Sequence, residues 1–234
     1  MKLRQLLSDM ALGELQGSPA VETGTYNILP AYLPKIIQSL NRALDYFYTV
    51  FPFKQSSLII QLYSGLSHYY LNSKYAMSNL LSTEKVRYIM DSPEYPFRDD
   101  LIKVLAVQDM EGNQLPINDY FSPYSVMLPE YNCIHVPNMT EGQLSVLYRA
   151  KHPEIPYTEP LDLDWEINIP ASFQSALQAY VACLFYQNMG GSKHNESNAY
   201  YAKFRTLVEE LQRQGLGVEE GITINQKPYM RGWI

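Results

Sequence analysis

The chain has 234 residues, 46% of them hydrophobic, and a formal net charge of −6, which supplies a core for one large domain or a domain with an insertion. The acidic balance and the lack of any basic block argue against a protein built to hold nucleic acid, which needs clustered Lys and Arg, and fit a wall past which DNA moves without sticking. Apolar runs such as 58–60 and 177–186 fall short of the roughly 20 residues of a membrane helix, so no membrane partner is expected.

The first element is a short amphipathic helix carrying Leu3, Leu6, Leu7 and Met10. Lys2 and Arg4 ahead of leucines imitate a secretory leader, but Asp9 and Glu14 interrupt the apolar run and no small-residue cleavage site follows, so the segment reads as structural. Leu33, Ile36, Ile37, Leu40, Leu44, Phe47 and Phe51 then recur at steps of three and four, the period of one helical stripe, with Pro34 tolerable in a first turn. The middle of the chain changes character. Segments 57–63, 101–107, 131–136 and 143–149 are short, rich in β-branched and aromatic residues, and separated by turn chemistry such as Glu111-Gly112-Asn113, which predicts strands. The pair flanking 138–142 is expected to form a hairpin, with Ile134 and Val136 facing Leu144, Val146 and Tyr148. Prolines 93, 96, 153, 156 and 160 mark extended connections out of this region.

A second helix pair follows. Phe173, Leu177, Tyr180, Val181, Leu184 and Phe185 form a stripe entered through Pro170 and halted by Gly190 and Gly191, and Tyr200, Tyr201, Phe204, Leu207, Val208 and Leu211 form another that Gly215 ends. The expected fold class is therefore α+β. An antiparallel bundle of N- and C-terminal helices (1–55 and 168–214) carries an inserted antiparallel β-rich module (56–167) and an extended C-terminal tail (215–234).

Chemistry is sparse. Four histidines, His68, His135, His152 and His194, show no metal-ligand spacing, and Cys133 and Cys183 read as small buried hydrophobes of a reducing compartment. Asp162, Asp164 and Glu166 alternate along an extended segment and are read as a solvated edge in preference to a cation site, and the adjacent pairs Asp99-Asp100 and Glu209-Glu210 as solubilising charge. No nucleophile elbow or phosphate loop occurs, so no catalytic residue, metal or cofactor is assigned and the chain is read as a non-enzyme. Twenty tyrosines suit a core rim or a subunit contact equally, and sugar stacking less well.

The tail is the clearest candidate site. Gly215, Gly217 and Gly221 permit an extended course, and Ile222, Ile224, Tyr229, Arg231, Trp233 and Ile234 are expected to dock on a partner or neighbouring subunit, Trp being enriched where proteins grip one another. The alternative is that Trp233 and Ile234 fold back onto this chain's own core.

Across nearly its whole length the chain resembles a family. Its opening residues close on Leu12-Gly13-Glu14-Leu15, and a helix spans 30–51. Then come the phrase Tyr95-Pro96-Phe97-Arg98-Asp99-Asp100-Leu101-Ile102-Lys103-Val104, the run Val136-Pro137-Asn138 leading to Leu144-Ser145-Val146 and Tyr148, and the final Arg231-Gly232-Trp233. Together they look like the head-to-tail adaptors of short-tailed bacteriophages, of the tail tubular A type. The resemblance implies a structural subunit of the virion neck or tail, made in the host bacterial cytoplasm. Its homo-oligomeric ring, expected to be twelvefold, would bind the portal protein above and the tail nozzle protein below, with genomic dsDNA passing transiently through the lumen. In such proteins the C-terminal segment reaches the portal or an adjacent subunit. The alternative function is a carbohydrate- or receptor-binding module of a phage tail.

Overall fold

The computed structural model describes residues 1–138, 141–189 and 193–216. They fall into two compact units, one made of Met1–Phe53 with Ile155–Ile234 and the other of Lys54–Glu154. A mixed α+β architecture results, with helices from both ends of the chain and antiparallel sheets in the middle.

The helical unit contains α1 (Leu3–Leu12), α2 (Leu33–Val50), α3 (Gln174–Met189) and α4 (His194–Arg213). Helix α1 buries Leu3, Leu6, Leu7 and Met10 as its spacing predicts. It has no side-chain cap at its start. The N–H groups of Leu3 and Arg4 donate instead to the carbonyls of Trp165 and Leu163 at 2.9 and 3.0 Å, which satisfies first-turn donors that a helix leaves open. Asp164 accepts from Lys2 at 3.1 Å, and the Lys2 hydrogen bond followed by the Arg4 charge holds its carboxyl below the usual range. The acidic segment 162–166 is thus partnered with the start of α1.

That pairing changes the expected domain boundary. Residues 155–167 were assigned above to the β insertion, yet they belong to the helical unit, where Asn41 holds Ile155 through two bonds of 3.0 Å, one to its carbonyl and one from its N–H. The prolines of this stretch make it look like continued linker, and its partners lie more than a hundred residues away.

Helix α3 packs antiparallel to α2 and to α4. Tyr32 meets Phe185 while Phe51 meets Phe173, and Tyr180 meets Phe204 while Tyr186 meets Tyr200. Helix α3 lies between the other two and is buried around most of its circumference, from Leu177 and Gln178 to Val181, Cys183 and Phe185, so it has no single apolar stripe. Phe47, Phe51, Phe53, Phe173 and Phe204 interlock edge to face and stacked. Gly215 ends α4 as predicted: at φ 73° it lets its own N–H reach the Gln212 carbonyl and the Leu216 N–H reach the Leu211 carbonyl, each at 3.0 Å, the paired bonds of a left-handed helix stop.

The β unit holds seven strands: β1 (Gln55–Leu62), β2 (His68–Tyr70), β3 (Ile89–Met90), β4 (Leu101–Gln108), β5 (Met127–Glu130), β6 (Cys133–His135) and β7 (Gly142–Ala150). They form a four-stranded sheet in the order β3-β1-β7-β4 and a three-stranded sheet in the order β2-β6-β5. Strands β1 and β7 pair along their whole length, from Gln55 opposite Arg149 to Leu62 opposite Gly142. One core joins the sheets, with Leu58, Ile60, Leu144 and Val146 from the larger and Tyr69, Ile134 and Val136 from the smaller.

The expected hairpin across 138–142 does not form. Strand β6 pairs with β2 and β5, whereas β7 pairs with β1 and β4, so the chain changes sheets between them. Ile134 and Val136 do meet Leu144 and Val146 in the core, but from facing sheets, and the alternation that suggested a shared face is equally satisfied that way.

Candidate interaction surface

All six predicted docking residues, Ile222, Ile224, Tyr229, Arg231, Trp233 and Ile234, lie outside the described residues. Within the described residues a different set of contact groups stands out, on the loops of the β unit. Phe121 is 98% exposed, Leu81 94%, Tyr120 86% and Leu80 85%, with Tyr95, Met110, Tyr124 and Tyr131 also mostly in solvent. Single exposed apolar residues are ordinary, but adjacent large ones at loop tips mark a contact surface.

The first tip, Leu80-Leu81, is held from below. Asn79 donates its amide to the Ser73 carbonyl at 3.1 Å and accepts the Leu81 N–H at 3.2 Å, and the Arg87 guanidinium donates to the Asn79 carbonyl at 3.1 Å. Asp91 anchors the base: one carboxylate oxygen accepts the Ser78 N–H at 2.8 Å, and the other accepts the Phe97 N–H at 2.9 Å. Burial pushes the Asp91 pKa up, and the hydrogen bonds from Ser78 and Phe97 outweigh it, so the carboxyl sits below its ordinary value.

The second tip, Tyr120-Phe121, has its own frame. The buried Ser125 hydroxyl accepts the Asp119 N–H at 2.9 Å and donates to the Pro116 carbonyl at 3.1 Å. Asn118 adopts a left-handed φ of 55°, a conformation Asn tolerates better than most residues, and accepts the Leu128 N–H at 2.8 Å. Asp119 accepts the Phe121 N–H at 3.0 Å. Both tips therefore present apolar side chains on backbone that is already ordered, which lowers the entropy cost of binding.

The phrase 95–104, one carrier of the family resemblance, is a structural corner. Phe97 enters the core. Asp99, at φ 57°, accepts the Ser73 N–H at 2.6 Å, and Asp100 accepts the Tyr148 hydroxyl at 2.9 Å and Lys54 at 3.3 Å. Burial, with the Asp100 charge adding to it, raises the Tyr148 pKa. These two aspartates are acceptors, Asp99 fastening the loop to the turn at Ser73 and Asp100 fastening it to β7, contrary to the solubilising role expected of them. Glu209 does lie on an exposed helix face, paired with Arg205 at 3.2 Å.

The most exposed tyrosines belong to the β unit. Tyr46, Tyr180, Tyr186 and Tyr200 line the helix interfaces, whereas Tyr95, Tyr120, Tyr124 and Tyr131 stand in solvent. The exposed tips escaped the sequence reading, although an apolar pair framed by Asn and Ser, or by Asp and Ser-Pro, was a usable signal. Among the described residues no group of three or more His, Cys, Asp or Glu is placed to hold a metal ion, and no helix is long and apolar enough to cross a membrane. No family model matches the chain, and no curated protein matches it.

Proposed function

We propose that this chain is a structural subunit of a bacteriophage head-to-tail adaptor. It would assemble into a ring, twelvefold by resemblance, between portal and tail nozzle, with double-stranded DNA passing through the lumen. The observation that carries the proposal is the pair of ordered, almost fully exposed apolar tips at Leu80-Leu81 and Tyr120-Phe121. Such groups lower the free energy only when another surface covers them. The sequence resemblance supplies the identity of that surface, and the net charge of −6 suits a channel that DNA must traverse. The helical unit forms the ring wall, the β unit contacts the nozzle or a neighbouring subunit, and the tail beyond residue 216 reaches the portal.

The alternative of carbohydrate binding has less support. A groove of about 580 Å³ in the β unit is lined by Tyr70, Tyr75 and Tyr88, but Tyr75 stacks on Tyr88 at 4.7 Å, Tyr88 also meets Tyr69, and the Lys74 ammonium lies 4.6 Å from the Tyr75 ring centre. The Tyr75 and Tyr88 faces occupied in this way are not free to stack on a sugar, which leaves Tyr70 as the one lining tyrosine without such a contact among the described residues.

Native mass spectrometry of the purified chain mixed with portal rings tests the proposal. A discrete portal complex with several copies bound is the expected result, and removal of residues 217–234 should abolish it. Absence of any complex, together with a vertex image lacking this chain in the collar, would overturn the adaptor reading. A complex that survives the deletion would remove the role given to the tail.

A further inference from the structure

The three-stranded sheet places three metal-ligating side chains in one row. In the β2–β6 pairing His68 is directly opposite His135, and in the β5–β6 pairing Met127 is directly opposite the same His135. Directly opposed residues on neighbouring antiparallel strands project from the same face of a sheet, with their Cβ atoms roughly 4.5–5.5 Å apart. Two imidazoles and a thioether therefore share one face. The two rings already lie together, with centroids 4.2 Å apart and planes within 8° of parallel.

We propose that His68 and His135, with Met127 beside them, bind one first-row transition-metal ion of the copper or zinc class. Two nitrogens on a common ion, each at about 2.0–2.1 Å, stand roughly 3.3–4.1 Å apart, so two ligating imidazoles must be neighbours, as these rings are. Stacked, near-parallel rings point their in-plane lone pairs side by side, so ligation requires a turn out of the stack until one nitrogen of each ring faces the ion. His68 is free to make that turn, being exposed and lining the open groove. Ser67 Oγ lies 3.0 Å from His68 Nδ1, which engages that nitrogen and leaves Nε2 for the ion, the arrangement by which a second partner orients a ligating imidazole. The donor set selects the metal. Imidazole and thioether suit copper and, less strongly, zinc, whereas magnesium and calcium need oxygen donors. Bound between β2 and β6, the ion would clamp the short β2 to the rest of its sheet. Nothing in this site depends on the adaptor reading, and it was invisible to a reading of histidine spacing because 67 positions of chain separate strands that the fold sets side by side.

Titration of the metal-free full-length chain with CuCl2, ZnCl2 and MgCl2, followed by calorimetry and thermal unfolding, tests the inference. The expected result is one Cu²⁺ bound per chain with a raised melting temperature, weaker binding of Zn²⁺, and none of Mg²⁺. His68→Ala, at an exposed position, should keep the circular dichroism of the parent and weaken Cu²⁺ binding by more than about tenfold. His135→Ala should do the same and His194→Ala should not. Unchanged copper affinity in folded His68→Ala, or an equal loss in His194→Ala, would overturn the assignment.

Discussion

The two units use the same kind of residue in opposite ways. In the helical unit the aromatic rings are spent on one another: Phe47, Phe51, Phe53, Phe173 and Phe204 form a continuous cluster, and the largest apolar exposure among its described residues is Leu12 at 55%. In the β unit Tyr69, Tyr88 and Tyr148 are buried while Tyr120 and Phe121 stand free. The difference teaches where to look for stability and where for assembly. Loss of a ring from the first unit leaves a cavity, whereas loss of a tip from the second leaves the folded chain unharmed and, under the proposed function, removes a contact.

The largest effect should come from Phe47→Ala, which empties the middle of the cluster and is expected to cost about 3–5 kcal/mol in urea unfolding. A loss below 1 kcal/mol would mean that this cluster is not the core of its unit. Next comes Asp91→Ala in the β unit, expected to cost about 1–3 kcal/mol because it strands the Ser78 and Phe97 N–H groups, and to speed amide exchange through 78–91. Parent-like exchange there would show that the first tip is ordered by something other than Asp91.

The pH extremes should reach both units. Asp91 has a folded pKa below its ordinary 3.8, so its contribution is present above that value and is lost as the pH falls through the folded one, loosening the β unit in acid. Tyr48, whose hydroxyl donates to the Asn168 carbonyl, is pushed by burial from 10.0 up to about 12. Its contribution is intact below pH 10 and is lost as the pH rises toward 12, loosening the helical unit in alkali, and the buried Tyr88 and Tyr148, also raised by burial, act in the same direction in the β unit. Unit-resolved exchange checks this: faster exchange around Asp91 in acid and in both units in alkali is expected, and unchanged exchange at 78–91 in acid would refute the role of Asp91.

Gly215→Ala should cost about 1 kcal/mol, since φ is 73° there, visible as fraying of the last turn of α4. The smallest effect on stability, within about 0.5 kcal/mol, is expected for the double substitution Leu81→Ser with Phe121→Ser. The same protein should lose assembly, measured by sedimentation with the nozzle and portal proteins. Retained assembly would leave the exposed tips without a role.

Much of the helical unit was legible beforehand because its stripes are local: Ile36, Leu40, Leu44 and Phe47 announce α2 by spacing alone, and Gly215 announces the stop of α4. The β unit was legible only in part. Strands β1, β4 and β7 are eight or nine residues long and carry a pattern, whereas β2, β3 and β5 have three, two and four residues, too few for a period to show. Sheet membership was not readable at all, because Ile134 and Val136 alternate in the same way whether their neighbour is the next strand or the facing sheet. The candidate surface was missed for a related reason. Exposure at Leu81 and Phe121 is set by Asn79, Asp91, Asn118 and Ser125, side chains whose bonds cross from one loop to another. The tail from Ile222 to Ile234 stays an expectation drawn from sequence.

The full-length pairing of β1 with β7 carries a consequence for how such a chain can change. Because Lys54 and Ala150 are joined by a bond of 3.0 Å from the Ala150 N–H to the Lys54 carbonyl, the roughly hundred residues between them leave and re-enter the chain at one doorway. A cassette with a single doorway can be exchanged for another of different length without altering the distance its host must span, so recombination could give one helical frame many different attachments.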